Sequence, residues 1–92
     1  MENKNIEKLW EYACCGDIKE LKKYYNSKNS EVNIRYNKFG NENSLIMGAY
    51  RNDEFETVEY LLSVGETITE KERNEISTYL KRKEIMKKIL ES

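Results

Sequence analysis

The most constraining feature of this sequence is an internal repeat. The stretch Ser44 to Gly65, SLIMGAYRNDEFETVEYLLSVG, reads as two short helices joined by a tight polar turn, and Leu9 to Tyr25 follows the same plan. Leu9 aligns with Leu45 and Ala13 with Ala49, each 36 residues apart, whereas Leu21 aligns with Val58 and Tyr25 with Leu62, each 37 apart. The difference places one extra residue in the Arg51-Asn52-Asp53 turn. A weaker third copy follows at a spacing of 28, with Met86, Ile89 and Leu90 matching Val58, Leu61 and Leu62. A single helical hairpin cannot bury both of its faces, so such units must stack to complete a core.

The helix signals support this plan. Ile6, Leu9, Trp10 and Ala13 fall on one helical face, with Asn3 or Asn5 available as a cap and Gly16 as a stop. Asp17-Ile-Lys-Glu20 has the form of a capping box, and Ile18, Leu21, Tyr24 and Tyr25 line one side of the next helix. Only one or two residues separate the pair, which forces antiparallel packing. Asn43 or Ser44 caps a third helix, in which the Gly48-Ala49 pair allows a neighbour to approach closely. Asp53-Glu-Phe-Glu56 precedes a fourth helix carrying Phe55, Val58, Leu61 and Leu62, which Gly65 ends. Thr69-Glu-Lys-Glu72 is a T-x-x-E capping box ahead of a fifth helix with Ile76, Tyr79 and Leu80. Near Arg82 or Lys83 the apolar phase shifts, which predicts a sixth helix carrying Ile85, Met86, Ile89 and Leu90. Between the first two units, Asn26 to Asn43 is polar, with a short Val32-Asn-Ile34 alternation and Gly40. It reads as a finger-like loop or a short hairpin.

The expected fold class is therefore all-α: a helical-hairpin repeat stack of about six short helices in three pairs, with a long loop between pairs one and two. One domain should span 1–92, with units at about 5–38, 39–68 and a degenerate capping unit at 69–92.

A helical hairpin followed by a polar finger, at a spacing in the thirties, resembles the ankyrin repeat. The resemblance rests on Leu9-Trp-Glu-Tyr-Ala13-Cys-Cys-Gly16-Asp-Ile18 with Leu21, and on Gly40, Ser44-Leu45-Ile-Met-Gly48-Ala49 and Val58-Glu-Tyr-Leu61-Leu62-Ser-Val-Gly65. It covers roughly residues 6 to 68. The family's T-P-L-H is replaced by Asn43-Ser44-Leu45-Ile46, and the loop before it is about two residues longer. The resemblance implies an α-solenoid that binds another protein through finger tips and the concave face of its first helices. Carried over by position, it implies Arg35, Tyr36, Asn37, Lys38 and Phe39 on the finger, with Tyr50 and Arg51 beside it, as partner-binding residues. Tyr, Phe and Arg are the side chains that dominate interface energetics.

Composition narrows the function classes. The chain has no histidine, which removes the commonest general base, and its four glycines form no phosphate loop. No enzymatic activity, cofactor or small-molecule substrate is expected. The adjacent Cys14 and Cys15 read as small apolar fillers in a reduced compartment, since no further ligand completes a metal site. A net charge of -1 gives no overall basic field for duplex DNA. Residues 70–92 nonetheless hold seven Lys/Arg against five Glu, so a nucleic-acid contact through this cluster is the alternative, with self-association through an under-capped end a third reading. No apolar run approaches a membrane span, so no membrane partner is expected. The chain reads as a cytoplasmic monomer or weak dimer with one protein partner. Richness in Asn, Lys, Ile, Tyr and Glu fits an A/T-rich bacterial or phage source, and with it an inhibitor or immunity-type role.

Overall fold

The structure is a computed structural model and describes residues 3–27, 30–38 and 40–91. Five helices and two strands follow in the order α1 (Asn3–Cys15), α2 (Ile18–Tyr25), β1 (Arg35–Lys38), β2 (Asn41–Ser44), α3 (Leu45–Arg51), α4 (Phe55–Ser63) and α5 (Glu70–Glu91). The strands form an antiparallel hairpin in which Arg35 faces Ser44 and Lys38 faces Asn41. The Asn3 or Asn5 cap lies outside the described side chains.

This overturns the all-α, six-helix stack in two places. The finger takes the second of its two expected forms, a short hairpin, whose paired strands end the all-α class and replace the long loop, and the third pair of helices is one continuous helix of 22 residues, about 33 Å long at 1.5 Å per residue. The reason for the second correction is local. Lys81-Arg82-Lys83-Glu84 contains only good helix formers, with no glycine, proline or capping residue to stop the chain. A shift in the phase of the apolar residues rotates the apolar stripe without breaking the helix.

The core lies between the two helical hairpins. Leu9 and Ala13 of α1, Leu21 of α2, Leu45, Ile46 and Ala49 of α3, Leu61 of α4 and Ile34 before the finger are buried together, with Trp10, Tyr12, Tyr25, Val58 and Tyr60 half-buried around them. α2 is capped by Asp17, whose Oδ1 accepts from Glu20 N–H at 3.3 Å. α3 is capped by Ser44, whose Oγ accepts from Met47 N–H at 3.3 Å. The Asp53-x-x-Glu56 box does not form. Glu54 occupies the N-cap of α4 without a side-chain cap bond, and Asp53 has a left-handed backbone, φ 61°.

That conformation corrects the repeat register. Gly16 and Asp53 are both left-handed, with φ of 76° and 61°. Each is followed by the same closing bond: Asp17 N–H donates to the Tyr12 carbonyl at 2.8 Å and Glu54 N–H to the Ala49 carbonyl at 2.9 Å. This is the hydrogen bond of a Schellman-type helix end. Tyr12, not Ala13, is therefore the counterpart of Ala49, and the second turn carries no extra residue.

Gly48 is where α1 and α3 meet. A β-carbon there would lie 3.0 Å from Trp10 Cζ3 and 3.1 Å from Cys14 Sγ. The close approach expected of Gly48-Ala49 is present, but only one neighbouring hairpin makes it. Gly48→Leu should lower stability by about 1–3 kcal/mol through overpacking, read as a lower urea midpoint with an unchanged slope.

Without a third hairpin, the outer face of α4 stays open. Phe55 and Leu62, expected in the core, are 54% and 57% exposed.

Candidate functional site

Two carboxylates from the segment after α4 anchor the base of the finger. Glu66 is 2% exposed and Glu72 is 3% exposed. Glu66 accepts from the Ile34 N–H at 3.2 Å and from the Tyr25 hydroxyl at 2.7 Å. Glu72 accepts from the Ser44 N–H at 2.8 Å and from the Thr69 N–H at 2.9 Å. Each leg of the hairpin is thus held at its root by a buried acceptor. Glu72 N–H also donates to Thr69 Oγ1 at 3.2 Å, so the expected capping box forms and its glutamate reaches on to the finger. Burial pushes the Glu66 carboxyl above its usual range, against the pull of the Tyr25 hydroxyl, the Ile34 and Asn33 backbone donors and Arg35.

Two of the expected partner-binding residues serve this same anchorage. Arg35 donates from Nη1 to the Thr67 carbonyl and from Nη2 to Thr67 Oγ1, both at 3.1 Å. Arg51 forms a two-pronged pair with Glu75, at 3.1 Å from Nε and 2.9 Å from Nη2, while its Nη1 donates to Asn43 Oδ1 at 3.0 Å. Tyr36 is half-buried, its ring centroid 5.3 Å from that of Trp10. Asn37 and Lys38 are exposed toward the finger tip. Phe39 lies outside the described residues.

Cys14 sits under this surface. Burial pushes its thiol up, with Lys38 pulling the other way, so the thiol stays protonated at neutral pH and fills space against Gly48. Among the described residues, no group of three or more His, Cys, Asp or Glu side chains could hold a metal ion.

Tyr50 is placed differently from the rest. Its ring meets Phe55 edge-on at 6.4 Å and Tyr79 edge-on at 5.9 Å. Its hydroxyl is buried and has no hydrogen-bond partner among the described residues. Burial raises the phenol's pKa, so the group is a neutral donor. The three rings border a groove of about 580 Å³ that Lys71 and Arg82 also line. A second cleft, of about 740 Å³, runs between Trp10, the finger and the start of α5. Phe55 was read on the apolar face of the fourth helix and Tyr79 on the fifth, and their grouping with Tyr50 in one groove was not foreseen. Glu66 carried no sequence signal at all.

The chain matches no family model, no curated protein and no solved structure. No helix among the described residues is long and apolar enough to cross a membrane.

Proposed function

We propose that this chain is a non-catalytic module that binds a single protein partner in the cytoplasm. We take its first two helical hairpins and the finger between them as divergent ankyrin-like units. The observation that carries the reading is the Tyr50–Phe55–Tyr79 cluster. Two half-exposed rings flank a buried phenol that has no acceptor among the described residues, and an unpaired buried donor costs free energy until something supplies one. A partner's backbone carbonyl or carboxylate entering the groove would satisfy that hydroxyl while its apolar atoms cover Phe55 and Tyr79. In the groove lining, Glu75 is paired with Arg51, and Lys71 and Arg82 outweigh Asp53, which favours a carboxylate. Asn37 and Lys38 of the finger then serve the rim of the interface, and Arg35 and Arg51 hold its shape. A chain of this size occludes one partner more readily than it bridges several, which suits an inhibitory role.

The test is affinity capture from host cells with the full chain as bait, followed by binding measurements on the captured protein. Phe55→Ala and Tyr79→Ala should each weaken binding by about 2 kcal/mol or more, near thirtyfold, with the urea midpoint little changed. Tyr50→Phe should weaken binding and slightly raise stability. If all three variants hold the partner as tightly as the native chain, the groove is not the docking site.

A further inference from the structure

The C-terminal half of α5 carries an amphipathic face that the helical hairpins leave uncovered. From Leu80 to Glu91 every residue is exposed. Leu80, Ile85, Met86, Ile89 and Leu90 are between 54% and 82% exposed. The same twelve positions hold five Lys/Arg against two Glu.

The placement around the helix is ordered. At about 100° per residue, Ile85, Ile89, Met86, Tyr79 and Leu90 occupy an arc of about 140°. Lys81 and Lys88 border it on one side, Lys83 and Lys87 on the other. Glu84 and Glu91 stand at the pole opposite the centre of the arc. Arg82 falls inside it, one turn toward the body of the protein, where its side chain lines the aromatic groove. Leu80 lies outside.

We infer that this half-helix is a peripheral membrane contact that docks the protein on an anionic bilayer surface. Basic residues on both borders of an apolar arc lie level with lipid headgroups when the arc enters the interface, and their long stems can extend upward to do so. The two acids then point away from the lipid. A single partner helix fits less well. It covers the narrow seam of a heptad, and here the seam Ile76-Tyr79-Lys83-Met86-Leu90 places Lys83 in its middle. A second copy of this chain would bring two basic borders together. Nucleic acid would leave the apolar arc in water. The expectation of no membrane partner rested on the lack of a spanning segment, which a peripheral contact does not need. This surface goes beyond the protein-binding groove and shares only Tyr79 and Arg82 with it.

The experiment is co-sedimentation of the full chain with phosphatidylcholine vesicles that contain one-third phosphatidylserine, and with pure phosphatidylcholine vesicles. The protein should sediment with the anionic vesicles at low salt, release at high salt, and stay in solution with the neutral ones. The triple change of Lys83, Lys87 and Lys88 to Gln should weaken partitioning roughly a hundredfold, at about fivefold for each charge near the surface. Met86→Glu combined with Leu90→Glu should abolish it. Both sites are exposed, so the fold is kept, and unchanged Trp10 fluorescence and urea midpoint verify this. Three results overturn the inference: no sedimentation with anionic vesicles, sedimentation that survives the Met86/Leu90 change, or a dimer in analytical ultracentrifugation that this change dissolves while vesicles are ignored.

Discussion

Glu72→Gln is expected to destabilise the protein by about 1–3 kcal/mol, and Glu72→Ala by about 3 kcal/mol or more. Both donors that Glu72 serves are backbone N–H groups, of Ser44 and Thr69. A backbone N–H cannot exchange its role for that of an acceptor. Glutamine keeps one carbonyl oxygen and turns the other position into an NH₂ that faces a donor, so one of the two is left buried and unpaired. Alanine leaves both unpaired, and also removes the reciprocal half of the capping box at Thr69. Urea unfolding at neutral pH gives the size of the effect. Amide exchange gives its location, since Ser44 and Thr69 should lose protection before the core of α3 does. Equal stability of Glu72→Gln and the native chain would show that this carboxylate does not hold the finger.

The same substitution at Glu66 should behave in the opposite way. One of the donors to Glu66 is the Tyr25 hydroxyl, which can accept as well as donate. Glutamine can therefore receive the Ile34 N–H on its oxygen and give its NH₂ to Tyr25, so Glu66→Gln should be nearly neutral at pH 7. Glu66→Ala, which abandons all of its donors, should cost on the order of 3 kcal/mol. The pH dependence separates the two carboxylate roles further. Burial raises the folded-state pKa of Glu66 above the usual 4.5. The folded state thus binds the proton more tightly than the unfolded one. Its contribution is full below 4.5 and lost as pH rises through the folded value. Glu75 is the reverse case, lowered from 4.5 by its bonds to Arg51. Its contribution is present above 4.5 and lost as pH falls through the folded value. Urea midpoints should rise as pH drops from neutral toward 4.5 and fall below it. Glu66→Gln should flatten the upper limb alone, and Arg51→Gln the part of the lower limb that Glu75 supplies. A native profile that is flat above 4.5 would contradict the buried-charge account of Glu66.

Much of the helical part was legible because its signals are local. Gly16 and Gly65 end helices, Asp17 and Ser44 begin them, and Leu9 with Ala13 in α1, Leu21 in α2 and Leu61 in α4 each fall on the apolar face that the 3.6-residue period marks. Gly48 was readable as a contact point because glycine in mid-helix is unfavourable without one. The strands were harder. Arg35-Tyr-Asn-Lys38 and Asn41-Glu-Asn-Ser44 have little β-propensity, and the acceptors at their roots come from residues far along the chain. The phase shift in α5 misled for a related reason. Apolar periodicity reports which face is buried, and in the C-terminal half of α5 no face is buried against the hairpins. In the site, the aromatic and Arg residues near the finger were singled out from the sequence as partner-binding. Their division into anchoring residues (Arg35, Arg51, Tyr36) and groove residues (Tyr50) depends on distances to Glu75, Thr67, Trp10 and Phe55 that no spacing encodes.

The long reach of the two buried glutamates has a consequence for the order of assembly. The bonds that root the hairpin join residues 32 and 28 positions apart along the chain. During synthesis the finger leaves the ribosome well before either anchor. Closing contacts at such separation is slow compared with forming a helical turn. The α1–α2 hairpin can therefore be in place while residues 35–44 are still searching, and the finger takes its final shape only when the segment from Glu66 to Glu72 arrives. The element that most resembles a free-standing hairpin is in this sense the last part of the domain to be specified.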